Sequence, residues 1–236
     1  MTSTLPPAPA PIPVSPPRRH RGSRIALAAG AGLLLVGAVG VSAVALGVGV
    51  GNSLQQDTVS RSFSGVREIV VEVDEGIVEL RRSADGDVRT TATRHWSPGY
   101  EPVLTGAVVN GVLTLGSDCP NFNIGCETEQ QITVPVGTAV RVRTVSGGID
   151  AAGLDTPRFD AATVSGAVRA SFVSVPEDVR VQTVAGPVRV TVPQNSYDVT
   201  GETVAGPVNV GVVDDPAATR TIFAKTLSGP IDVVAG

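Results

Sequence analysis

Val179, Val181 and Thr183 alternate with Arg180 and Gln182, and shortly afterwards Val188, Val190 and Val192 alternate with Arg189 and Thr191. A period of two, apolar against polar, marks a strand buried on one face. The two runs predict two strands joined at Ala185-Gly186. The same grammar recurs in Phe159, Ala161 and Thr163 followed by Val168, Ala170 and Phe172, and in Val199 and Thr203 followed by Val208, Val210 and Val212. Five copies share the core of the pattern: TVSGGID at 144–150, TVSGAVR at 163–169, TVAGPVRV at 183–190, TVAGPVNV at 203–210 and TLSGPID at 226–232.

The repeated threonines, Thr144, Thr163, Thr183, Thr203 and Thr226, are spaced 19, 20, 20 and 23 residues apart. A pair of short strands cannot bury its apolar face alone, whereas coiled on its neighbour, one rung every ~4.8 Å, it can. The expected fold is therefore all-β: a parallel β-solenoid with rungs of about 20 residues, over 136–236. Gly147, Gly166, Gly186, Gly206 and Gly229 fall at the corners, where φ is expected to be positive and no side chain fits. The threonine before each corner is in phase with the inward residues. Its hydroxyl is expected to bond a corner backbone group or the threonine of the next rung.

Residues 63–135 carry a looser version, with breaks at Asp74-Glu75-Gly76 and Ala84-Asp85-Gly86 and a hairpin signal at Asn110-Gly111. This half is expected to be an antiparallel or irregular β cap on the membrane-proximal side. At the other end the chain stops at IDVVAG. The fifth copy is thus expected to be an uncovered terminal rung, with Ile231 and Val233 available for weak self-association or for another envelope protein or glycan.

The alternation fails at the N-terminus. Residues 1–24 are proline-rich and basic towards their end, the composition of a disordered tail. Residues 25–50 are continuously apolar and no charge lies between Arg24 and Asp57, longer than the ~20 residues a membrane-spanning helix needs. Arg18, Arg19, Arg21 and Arg24 precede the run, which places the N-terminus in the cytoplasm and everything beyond a 51–62 linker outside the membrane. A cleaved signal peptide is the alternative, with Ala43-Val44-Ala45 as its cleavage pattern.

Charge then narrows the partners. Four of the 18 basic residues precede Asp57 and none of the 22 acidic ones do, so the outer part carries 14 against 22, a net −8. Nucleic acid, which wants a basic stripe, is excluded as a partner.

Candidate chemistry is sparse. Cys119 and Cys126 close the loop CPNFNIGC on the oxidising side of the membrane, and a disulfide is the simplest reading. A metal would need two more soft ligands nearby, and a catalytic thiol a basic partner, for which His95 is the only outer histidine. His95, Trp96 and Tyr100 in TRHWSPGY are expected to pack beneath a proline-glycine loop, the other reading being a sugar or peptide groove. Asp150 and Asp232 share one repeat position four rungs apart, about 19 Å at the rung spacing, beyond the ~5–9.5 Å of a glycosidase pair. Asp150 is expected to face Arg169, and Arg141, Asp160 and Arg180 to form a second alternating ladder that fixes register. SGGID lacks the nine-residue aspartate period of calcium-binding repeats. The glycines of GVGVG at 47–51 lie in the apolar run, outside any strand-helix unit. No catalytic residue, metal or cofactor is expected.

The T-V-[SA]-G-x-[VI]-[DRN] repeats, the CPNFNIGC pair and QQITVPVGTAVRVRTVSGGID at 130–150 together resemble the DUF4097 family of adhesin-like, toastrack-like bacterial envelope domains, over about 65–236. The resemblance implies a right-handed β-solenoid on the cell surface with no shared catalytic site. The combined expectation is a single-pass, N-in membrane protein whose outer domain is a non-enzymatic adhesin or envelope scaffold. The alternatives are a polysaccharide-active enzyme and an envelope-stress regulator.

Overall fold

The computed structural model describes residues 54–119 and 125–236. The tail, the apolar run and the tip of the cysteine loop lie outside the described residues, so the expected membrane helix does too. Among the described residues every regular element is a strand. The first seven are β1 (Gln55–Phe63), β2 (Glu68–Glu75), β3 (Val78–Arg82), β4 (Val88–Trp96), β5 (Val103–Val109), β6 (Val112–Asp118) and β7 (Glu127–Val134). The first three copies of the repeat follow as strand pairs: β8 (Ala139–Ser146) with β9 (Ile149–Leu154), β10 (Arg158–Ser165) with β11 (Val168–Phe172), and β12 (Asp178–Ala185) with β13 (Val188–Val192). The fourth copy gives β14 (Ser196–Ala205), β15 (Val208–Gly211) and the short β16 (Val213–Asp214), and the fifth gives β17 (Thr221–Ser228) and β18 (Ile231–Ala235). The stretch read as a linker is strand from Gln55 onward.

Each copy turns at its glycine from one nine-stranded sheet to the other, the fourth also adding β16 beside its own β14. One sheet runs β1-β4-β7-β3-β9-β11-β13-β18-β15 and the other β16-β14-β17-β12-β10-β8-β2-β6-β5. The inward residues of both sheets form one core. Val179, Val181, Val188, Val190 and Val192 are fully buried, each such side chain contributing about 1.5–3 kcal/mol. Register is kept across the corner strands, where Thr163 pairs with Thr144 on one side and Thr183 on the other; between β11 and β9 it shifts by one residue after Ala170.

Three copies stack in chain order; the last two do not. β17 lies between β12 and β14, and β18 between β13 and β15, so the fifth copy is slotted between the third and the fourth. The expected terminal position of Ile231 and Val233 is therefore corrected, since both are fully buried. The physical reason is core quality. Where the third and fifth copies present Val181 and Ala224 to the interior, the fourth has Gly201 in register and so less apolar surface to bury; its Val208 and Val210, on the last strand, are each 40% exposed. The more apolar layer occupies the interior and the poorer one the end. The 23-residue spacing before Thr226, longer than the others, supplies the chain that travels back.

The first half behaves in the same way. β2/β3 sits directly against the first copy, and β6/β7 lies outside it in parallel register. Only β1, β4 and β5, paired antiparallel, form the cap expected over 63–135; the rest of that half is part of the same stack.

Candidate interaction surface

The corner at which each copy passes from one sheet to the other is the most regular feature of the molecule. Thr163 Oγ1 donates to the carbonyl of Gly147 at 3.0 Å, Thr183 to Gly166 at 3.1 Å, Thr226 to Gly186 at 3.1 Å and Thr203 to Gly229 at 3.1 Å. Of the two partners considered for the hydroxyl, it is the corner carbonyl of the neighbouring layer that these four take. Thr144 Oγ1, in the first copy, is buried without a partner. At Gly186 φ is 150°, and a Cβ would lie 2.1 Å from the carbonyl oxygen of Gly166. The corner glycines stack backbone on backbone, leaving no room for a side chain.

The sequence reading missed the residue that follows each threonine, the first of two before its glycine. Val145, Val164, Val184, Leu227 and Val204 are 48%, 49%, 43%, 47% and 81% exposed. Strand pairing places them side by side in that order, an aliphatic ridge four strand spacings long, about 19 Å. Beside it runs a file of small residues, Ser146, Ser165, Ala185, Ser228 and Ala205, also exposed. No charge interrupts either file. The available signal was a violation of alternation: T-[VL]-[SA]-G places an aliphatic residue at an outward position in all five copies.

At its cap end the ridge gives way to two carboxylates, because β2 and β6 continue the sheet beyond the first copy and bring Asp74 beside Asp118. Burial, then the hydrogen bond and the charge of Asp118, hold the Asp74 carboxyl above the usual carboxylate range. Cys119 and Cys126 are joined in a disulfide at this end.

The remaining sequence candidates scatter. Trp96 is buried and Arg94 lies over its ring at 5.2 Å. Arg94 in turn bonds Asp57 through Nε at 2.7 Å and the Pro102 carbonyl through Nη1 at 2.8 Å, pairing also with Glu101. This cluster ties β1 to β4 and the following loop, while Tyr100 stands exposed and His95 lies in strand register with Gln56 and Glu127. Asp150 stands opposite Arg169 as expected, but its ion pair is with Arg81 on β3, at 2.9 Å. Asp160 stands between Arg141 and Arg180, yet its closest pair is with Arg143, at 2.7 Å. Asp150 and Asp232 are three strand steps apart, since β18 follows β13 directly; at about 14 Å they remain too distant to act together.

No protein-family model and no curated protein matches the chain. The fold has a counterpart among solved structures. The chain is similar to a "putative cell adhesion protein" from Clostridium sporogenes, with a TM-score of 0.57 at 10% identity, covering 78% of this chain and 100% of that one. At that identity the likeness establishes a shared fold. A "putative adhesin" from Bacteroides fragilis aligns at 11% identity over 79% of this chain and 100% of its own, with a TM-score of 0.33. A "putative lipid binding protein" from Parabacteroides distasonis aligns at 13% identity over 80% and 96%, with a TM-score of 0.31.

Proposed function

We propose that this chain is an adhesin-like interaction module of a bacterial envelope, and that the aliphatic ridge is the surface on which a partner protein docks. The carrying observation is that five exposed aliphatic residues, one from each copy, lie in a single uncharged file. An outward aliphatic residue adds nothing to the core, and its presence in every copy is what the docking role accounts for. The name of the Clostridium sporogenes neighbour points the same way. In this reading the β domain is a right-handed β-solenoid of the DUF4097 type whose end layers are permuted in order. It stands outside the cell on a single N-in span at 25–50, and it has no reaction centre.

The test is attachment of cells displaying the full chain to a surface or to one another, comparing the native protein with Val164→Asp/Val184→Asp. Both positions are exposed, so folding survives the change, and attachment is expected to fall at least tenfold through desolvation of the new carboxylates. Undiminished attachment by a correctly folded double variant overturns the reading. Protease added to intact cells, expected to remove the β domain and spare residues 1–50, tests the anchoring separately.

A further inference from the structure

The outer part is acidic, yet one cleft on it is lined by four arginines. It has a volume of about 480 Å³ and opens where strands of the second sheet begin, with Arg67, Arg141, Arg158 and Arg180 on its walls beside Glu68 and Asp178. Strand register creates the space. Glu68 stands opposite Ala139, the first residue of β8, and Arg158 opens β10 opposite Asp178, so a small alanine forms the floor between longer side chains.

Neighbours hold most of these groups in place. Arg67 lies along the Asn110-Gly111 turn and donates from Nη2 to the Asn110 carbonyl at 3.0 Å. Arg180 lies over the Phe223 ring at 5.9 Å. Asp160 also lines the cleft; both its oxygens accept from Arg143, at 3.0 and 2.7 Å, and one also pairs with Arg141, at 3.6 Å. Asp178 accepts from Thr221 through one oxygen at 2.7 Å. Arg158 is exposed and its guanidinium makes no hydrogen bond or ion pair among the described residues.

We propose that this cleft binds an acidic saccharide, a sugar bearing a carboxylate or a phosphate. Guanidinium groups present planar forks of donors that match an oxyanion. Glu68 and the free oxygen of Asp178 accept from sugar hydroxyls. A bare anion offers no hydroxyl to Glu68 and Asp178, and a neutral sugar leaves the Arg158 guanidinium unmatched. The volume falls within the ~300–1,000 Å³ of small-molecule sites. The cleft is independent of the ridge, since Val164 lies six residues further along β10 than Arg158, roughly 20 Å away at strand rise.

The experiment is titration calorimetry of the full chain in detergent micelles with four probes: tri-galacturonate, glucose 1-phosphate, maltotriose and inorganic pyrophosphate. At least one acidic sugar is expected to bind ten or more times as tightly as maltotriose and pyrophosphate, and which one binds assigns the anion. Arg158→Ala, which breaks no contact of the fold, is expected to weaken that binding about tenfold. Arg189→Ala, on the exposed face of the other sheet, is expected to leave it unchanged, and attachment through the ridge is unaffected by either variant. The proposal is overturned by pyrophosphate or maltotriose binding as tightly as both acidic sugars, by no measurable binding of either acidic sugar, or by equal effects of the two substitutions.

Discussion

A buried threonine hydroxyl favours the fold only if it finds an acceptor, and the five corner threonines divide on that point. Thr183 donates to Gly166, so Thr183→Val removes a buried hydrogen bond while keeping the shape, at a cost of about 1–2 kcal/mol. Thr144 carries a desolvated hydroxyl with no partner, so Thr144→Val is expected to be neutral or stabilising. Urea midpoints of the two variants measure the contrast, and equal losses would contradict it. Asp74 gives a second test through pH. Its carboxyl is held above its ordinary range by burial and by Asp118, so the folded chain binds that proton more tightly than the unfolded chain. The associated stabilisation is present at low pH and is lost as pH rises through the folded value. Asp74→Asn is therefore expected to be more stable than the native protein at neutral pH, the difference closing as pH falls below about 4; thermal unfolding across that range reads it.

The second and third copies alternate inward apolar and outward residues cleanly enough that both strands of each, their turn and their inward residues can be read from the letters. Stacking order is another matter. It depends on which layer loses least by facing solvent, a comparison between copies that no single copy contains. Gly201, at an inward position in the fourth copy, held the clue beside the longer 23-residue spacing. In the first half the strands alternate as well, but nothing local says that β6/β7 joins β2/β3 in parallel. The ridge was visible in principle, and was missed because a single outward aliphatic residue looks like noise until register aligns five of them. Cysteine pairs test the order directly. Arg189 stands opposite Asp232 in the structure, whereas chain-order stacking would bring Arg189 beside Asn209. A short bifunctional thiol reagent is expected to link Arg189→Cys to Asp232→Cys and to leave Arg189→Cys with Asn209→Cys unlinked; the reverse result would restore chain order.

At the scale of the molecule, the permuted end makes the last 22 residues a wedge instead of a tail. Strands β17 and β18 cover the third copy on one side and carry the fourth on the other. In a stack built in chain order, losing the last copy removes one interface between layers and leaves the rest as it was. Here, deleting 215–236 uncovers Val188 and Val190, both fully buried, and at the same time removes both strands with which the fourth copy pairs. Deleting 193–236 removes more chain but leaves three copies stacked in sequence, with a single open face. The shorter protein is therefore expected to be the better behaved: a cooperative urea transition and a protease-resistant body ending near Val192, while the 1–214 chain is cut within 193–214, where the fourth copy has lost the layer it pairs with. Limited proteolysis of the two truncations side by side decides it, and a 1–214 chain as resistant as the full protein would mean that the fifth copy is not what holds the fourth in place.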